Sequence, residues 1–179
     1  MILNVGCGDD LYGDIRVDII KTRATNVLCD IESGLPFRSE IFEQVYAKFI
    51  LEHLRNPGNV LREIQRVLKK GGILIIKTDN ASCIGWHITG LKFLGVHTWE
   101  HDKYSFQLNP SDMHYALFLP GHVVNHLKLL GFKIYKIEYF WGESLINRGW
   151  FKRFLELISN FPPLKKYVLP HFMVIAIKW

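Results

Sequence analysis

The most constraining feature of the chain is a short apolar run that meets a glycine-spaced turn and returns almost at once to another strand. Ile2-Leu3-Asn4-Val5 leads directly into Gly6-Cys7-Gly8, and only Asp9–Asp14 separate that turn from Ile15-Arg16-Val17-Asp18-Ile19. Glycine at such a turn lets the backbone take positive φ and lets a ligand approach the main chain closely. In an open α/β sheet, the turn at a strand's carboxyl end is where ligands bind. Asn26-Val27-Leu28-Cys29 follows and ends at Asp30, so the glycine turn and two strand-terminal acids, Asp18 and Asp30, occur in chain order. A carboxylate at a strand end can accept hydrogen bonds from a ribose diol or an exocyclic amine. The order therefore predicts a nucleoside pocket.

Two nucleoside chemistries compete for that pocket. A dinucleotide fingerprint requires glycine at position 11, which is Leu11 here, and a helix opening there to hold a pyrophosphate. Asp9, Asp10 and Asp14 crowd the connection instead, and carboxylates repel phosphate. The site suits a nucleoside without phosphate that carries a cationic or zwitterionic tail.

The rest of the chain alternates strand and helix signals. Gln44–Lys48, Ile73–Ile76, Phe132–Phe140 and Phe172–Lys178 read as strands, the second apolar enough to be buried on both faces. Asn59 is the expected cap of a helix whose stripe is Val60, Leu61, Ile64, Val67 and Leu68, with Lys69 and Lys70 at its C-terminal end and Gly71-Gly72 as its stop. Ile50–Leu54 reads as one helical turn. Pro120 opens a second long helix that Gly131 stops, and Trp150–Ile158 marks a third. Such alternation predicts an α/β fold with a mostly parallel sheet.

Six segments, Leu3–Gly8, Val17-Asp18-Ile19, Asp30-Ile31, Leu35-Pro36-Phe37, Leu51-Glu52-His53-Leu54 and Leu61–Gly72, resemble class I S-adenosylmethionine-dependent methyltransferases in sequence and order. Phe118–Phe132 fits the helix and Gly-Phe turn before that family's sixth strand. The resemblance implies a doubly wound, mostly parallel seven-stranded sheet of Rossmann-like type, and S-adenosylmethionine as cofactor. It also implies that Asn4, Gly6, Cys7 and Gly8 lie against the methionine part and that Asp18 holds the ribose, with Ile19 beside it. Asp30 would take the adenine amino group with Ile31 on the ring, while Lys48 and Phe49 would border the methionine end. The family normally has helices between strands one and two and between strands two and three. Asp9–Asp14 and Ile20–Thr25 are too short for such crossovers, so the N-terminal helices are expected to be trimmed. The whole of 1–179 reads as one domain: 1–78 binds cofactor, 79–117 roofs the acceptor site, and 118–179 supplies the last helices and strands.

Methyl transfer is an in-line displacement on a sulfonium carbon, so alignment and exclusion of water do most of the work. A general base matters only when the acceptor must lose a proton. His53, after the fourth strand, is the candidate; its alternative role is to stabilise its own turn. The stretch Asp79–Leu117 carries Trp86, His87, His97, Trp99, His101, Tyr104 and His114, which suit an acceptor pocket or a local core. The pairs His97/His101 and His122/His126 have ligand spacing but neither the Glu of HExxH nor a third ligand, so no metal site is expected.

Of the 179 residues, 49% are hydrophobic, and the net charge of +5 is concentrated at the C-terminal end. Residues 139–179 hold six basic side chains against two acidic ones, and 10 of the 24 aromatics. That balance suits nucleic acid, an anionic membrane surface, an acidic substrate, or an ordinary solvated helix. No Asn/Asp-Pro-Pro-aromatic motif follows the fourth strand, which argues against methylation of nucleic-acid bases. Three scattered cysteines argue against a disulfide framework, no run of about 20 apolar residues is present, and a secretory signal is not expected. The expectation is a cytoplasmic enzyme that methylates a small-molecule or glycan- or lipid-linked acceptor. A non-catalytic scaffold of the same fold and a nucleic-acid methyltransferase are the alternatives. The short connections leave one flank of the sheet without helices of its own, so a homodimer that covers it is also expected.

Overall fold

The structure, a computed structural model, describes residues 1–84, 114–141 and 157–179. Seven strands form one sheet: β1 (Ile2–Val5), β2 (Ile15–Asp18), β3 (Val27–Leu28), β4 (Phe42–Lys48), β5 (Leu68–Asp79), β6 (Phe132–Phe140) and β7 (His171–Lys178), in spatial order β3-β2-β1-β4-β5-β7-β6. Strands β3, β2, β1, β4 and β5 pair in parallel, and β7 runs antiparallel to both its neighbours. This is the mostly parallel seven-stranded sheet expected from the sequence. The strand order reverses between β1 and β4, the position at which an open α/β sheet forms its ligand crevice.

The connections β1–β2 and β2–β3 contain no helix, as their lengths predicted. They hold their shape through local hydrogen bonds instead. Gly6 N and Cys7 N both donate to Val17 O, and Arg16 donates from Nε to Ala24 O and from Nη1 to Gly13 O. Leu11, Ile19 and Leu28 remain well exposed on this flank.

The helices α1 (Pro57–Val67) and α2 (Pro120–Leu129) bury Val60, Leu61, Ile64, Val67, Val123 and Leu127 in the same core as Leu3, Val5, Val45, Ala47, Leu74, Ile76, Phe172, Val174 and Ala176. Each fully buried aliphatic side chain contributes about 1.5–3 kcal/mol. Because alternate strand residues share a face, both helices cover the same side of the sheet. Short turns at Ile31–Ser33, Leu51–His53 and Pro162–Leu164 and the single-turn helix α3 (Lys165–Val168) complete the described elements.

Two local expectations change. The cap of α1 is Asn56 rather than Asn59: Asn56 Oδ1 accepts from Asn59 N, and Pro57 occupies the first helical position, where its missing N–H costs nothing. The helix also ends at Val67, and Lys69-Lys70-Gly71-Gly72 belongs to β5 rather than to a helix stop. Phe42 pairs with Leu68 and Gln44 with Ile73, so those four residues bulge out of the ladder. Gly71, at φ +74°, makes that excursion possible. Most of the Trp150–Ile158 helix expectation lies outside the described residues, as does most of 79–117.

Candidate functional site

The carboxyl ends of the parallel strands carry the residues that the sequence singled out. Gly6 (φ +65°) and Gly8 (φ +51°) both lie in the left-handed region, and a Cβ on Gly6 would sit 2.5 Å from Ile50 Cδ1 and Cγ1. The turn is locked from below by Asp18. Asp18 Oδ2 accepts from Gly8 N at 2.7 Å, and Oδ1 accepts from Ile20 N at 2.9 Å. Each carboxylate oxygen keeps a second lone pair, so the geometry leaves acceptors for a vicinal diol. Cys7 is buried; burial pushes its thiol pKa up, and Sγ contacts Thr25 Oγ1. Asn4 has a use within the fold: its Nδ2 donates to Tyr12 O at 3.2 Å.

Asp30 caps the turn at Ile31–Ser33, accepting from Glu32 N at 2.9 Å and from Ser33 Oγ at 3.1 Å. Ile31 is buried, whereas Ile19 is 61% exposed between the two strand-terminal acids. Ile19 thus leaves an apolar surface open at the end of β2, next to Asp18. On the other side of β1, Lys48 at the end of β4 pairs with Asp10 at 3.6 Å. The free lone pairs of Asp18 and the exposed Ile19 side chain are of the kind a ribose diol and a flat base could use.

At the end of β4 the chain turns sharply. Phe49 has φ +51°, a conformation uncommon outside glycine, and its N–H donates to Lys77 O. Its ring meets His171 edge to face at a centroid distance of 4.8 Å. Here the fold assembles a second group of side chains, at the carboxyl end of β5. Asp79 Oδ1 accepts from His171 Nδ1 at 2.8 Å, and Asp79 Oδ2 lies 3.4 Å from His114 Nδ1. The His114 ring in turn meets His53 edge to face at 4.5 Å. Tyr115 N donates to Glu52 O, which ties the His114 segment to the turn bearing His53. Lys77 Nζ stands 5.5 Å from the Tyr46 ring centre and 5.6 Å from that of Phe140.

Glu52 is the most buried acid in this group, 1% exposed, and accepts from Thr78 Oγ1 at 2.8 Å. Burial, then the charge of Asp79, pushes its carboxyl pKa up from 4.5 to about 8. The folded protein therefore retains a proton that the unfolded chain releases above about pH 4.5. This contribution to stability is full below that pH and is lost as pH rises toward about 8, by at most about 1.4 kcal/mol per pH unit. Glu52→Gln keeps a neutral polar group in place and should remove that slope. Urea unfolding at pH 5 and 7.5 should show the variant gaining on the wild type as pH rises; an equal difference at both pH values would contradict a protonated Glu52.

The sequence pointed to His53 as the base candidate but not to Asp79, Glu52 or His171 as a group. The available signal was polar residues at the ends of otherwise apolar strands, Asp79 closing β5 and His171 opening β7. Among the described residues no group of three or more His, Cys, Asp or Glu side chains could hold a metal ion. His97 and His101 lie outside the described residues. No helix among the described residues is long and apolar enough to cross a membrane.

Sheet order, glycine turn and strand-terminal acids define a Rossmann-like methyltransferase fold. Residues 13–76 match the methyltransferase domain family. A solved S-adenosylmethionine-dependent methyltransferase from Archaeoglobus fulgidus shares the fold with a TM-score of 0.64 at 19% identity, covering 99% of this chain and 85% of that one. The chain is similar to the mitochondrial ubiquinone biosynthesis O-methyltransferase of Rattus norvegicus, 30% identical over 90 residues, which is 46% of this chain and 26% of that protein. It is also similar to the sterol 4-C-methyltransferase strm-1 of Caenorhabditis elegans, 39% identical over 57 residues, or 32% of this chain and 17% of that protein. The matched stretches thus span about a quarter or less of these relatives. The matched domain family and the shared fold are those of S-adenosylmethionine-dependent methyltransferases, and S-adenosylmethionine is the cofactor that family and fold imply.

Proposed function

We propose that this chain transfers a methyl group from S-adenosylmethionine to a small-molecule or lipid- or glycan-linked acceptor. The observation that carries the reading is the pairing, along one sheet edge, of a nucleoside-type pocket at β1–β3 with a histidine- and carboxylate-rich cluster at β4, β5 and β7. When bound, the cofactor supplies an electrophilic methyl on a sulfonium. Asp18 orients the ribose and braces the glycine turn; Asp30 and the Ile19 and Ile31 side chains receive the adenine. Lys48 and Phe49 border the methionine end. Phe49 and Phe140 wall the acceptor side and reduce its access to water, which favours displacement at the methyl over hydrolysis. His53 stands beside this space on its turn.

The relatives' names support a small acceptor, one pointing to methylation at oxygen and the other at carbon. The test is incubation of the purified chain with S-adenosylmethionine labelled in the methyl group and an extract of small molecules and lipids. Label should move into an extractable small-molecule or lipid fraction. Label found only on added RNA or DNA would favour the nucleic-acid reading, and cofactor binding without any transfer would favour the scaffold.

A further inference from the structure

The corner of the molecule where α2 turns into β6 projects its large apolar side chains instead of packing them. Leu129, the last residue of α2, is 86% exposed, Tyr135 on β6 is 72% exposed, and Trp179, after β7, is 85% exposed. Their neighbours Val123, Leu127 and Phe132 are buried in the core. The corner is nevertheless fixed in place. Trp179 N donates to Gly131 O, and Lys133 Nζ lies 5.7 Å from the centre of the Trp179 ring. Gly131, at φ +82°, makes the turn, and its N–H donates to Lys128 O. The sheet continues the apolar surface. The face that holds Leu74, Ile76, Val174 and Ala176 is covered by α1 and α2, whereas on the other face Ile73, Ile177 and Lys133 form one row across β5, β7 and β6, and Ile73 is well exposed. The charge here is basic: Lys128, Lys133 and Lys136 are exposed, and Glu138 is already paired with Lys136 at 2.8 Å.

Charge and edge geometry select the occupant. A strand added to the β6 edge would meet the register shift between Ile134 and Lys136 and the lysines beside it, features that guard an edge against pairing. A second copy docking through the same corner would bring its lysines against these, and like charges repel. An anionic lipid surface attracts the lysines instead. It also gives tyrosine and tryptophan the setting their rings favour, with the apolar body among acyl chains and the polar tip among headgroups. We propose that the α2–β6 corner docks on an anionic bilayer, with Leu129, Tyr135 and Trp179 seated in the headgroup layer and Lys128 and Lys133 on the lipid phosphates. Phe132 pairs with Lys178 at this end of the sheet, and Phe140 with His171 at the other, next to Asp79 at the carboxyl end of β5. Docking therefore leaves the carboxyl ends of the parallel strands, with the glycine turn, clear of the lipid. The inference is independent of the methyltransferase reading, and its test needs no cofactor.

The experiment is flotation of the purified chain with vesicles of phosphatidylcholine alone and of phosphatidylcholine mixed with phosphatidylglycerol. The chain should float with the mixed vesicles and not with the neutral ones. Binding should fall as salt rises from about 0.1 to 1 M, where the screening length shrinks from about 10 to about 3 Å. Lys128→Ala and Lys133→Ala should each weaken partition about fivefold, and Trp179→Ala at least about tenfold. All three side chains are exposed, and matching circular dichroism spectra check that the variants fold. Lipids brominated along the acyl chain should quench the tryptophan fluorescence of the wild type more than that of Trp179→Phe, which a purely electrostatic contact elsewhere would not produce. Failure to float with the mixed vesicles, or equal flotation with both kinds, overturns the proposal. Unchanged partition in the folded Lys133→Ala and Trp179→Ala variants overturns it as well. A concentration-dependent dimer that Trp179→Ala abolishes would assign the corner to a second copy instead.

Discussion

Asp18→Ala should weaken binding of S-adenosylmethionine at least tenfold, and up to about a hundredfold. The carboxylate is asked to do two things at once. It accepts from Gly8 N and Ile20 N, which shapes the glycine turn, and in the proposed pocket its remaining lone pairs would take the ribose. Each charge-assisted hydrogen bond lost is worth about 1.5–3 kcal/mol, and about 1.4 kcal/mol is tenfold in affinity. Removing the side chain also leaves the Gly8 N–H without its acceptor, so the turn should loosen and the folded protein lose stability as well. Asp18→Asn is the informative companion, since an amide oxygen can still brace one of the two backbone donors but cannot accept as strongly from a hydroxyl. Calorimetry and thermal unfolding of both variants check this. Unchanged affinity in a folded Asp18→Ala would remove Asp18 from the pocket.

Gly6→Ala should be the most disruptive small change in the turn. Its φ of +65° already costs an alanine about 1–2 kcal/mol, and the added Cβ would lie 2.5 Å from two Ile50 atoms and 2.9 Å from Ile50 Cβ. Ile50 follows Phe49, whose own backbone is at φ +51°, so displacement of Ile50 disturbs the wall next to His171. Gly8→Ala provides the control: its φ is +51°, but no atom lies within 4 Å of the added Cβ. Thermal unfolding should place Gly6→Ala below Gly8→Ala, with about 2–4 °C lost per kcal/mol in a chain of this size. Equal melting temperatures would mean that Ile50 yields without cost.

These two residues were legible in the sequence because their signals are local. A short apolar run ending in Gly-Cys-Gly, and acids at the ends of the next two strands, are visible in chain order alone, and the structure brings them to the carboxyl ends of β1, β2 and β3. The short connections before β2 and β3 announced the trimmed helices equally well. Lys69–Gly72 was harder, since Gly-Gly after a helix ordinarily stops it. Which strand residues pair on either side decides whether glycine serves a stop or a bulge, and pairing is not a local property. The Asp79–His171 contact is the extreme case. The two residues are 92 positions apart and meet only because β7 enters antiparallel beside β5. Glu52 was hidden for the opposite reason. In Leu51-Glu52-His53-Leu54 it reads as a surface acid on a helical turn, and only the tertiary fold turns it inward against Thr78.

The central claim is that the glycine turn with Asp18 and Asp30 binds a phosphate-free nucleoside with a cationic tail. Calorimetric titration of the unmodified chain with S-adenosylmethionine, S-adenosylhomocysteine and NAD tests it most directly. The account predicts saturable one-to-one binding of both sulfur nucleosides and far weaker binding of NAD, because the acids Asp9 and Asp10 directly follow the glycine turn at which a pyrophosphate would sit. Binding of NAD in preference to S-adenosylmethionine, or no binding of either sulfur nucleoside by the folded protein, would contradict it.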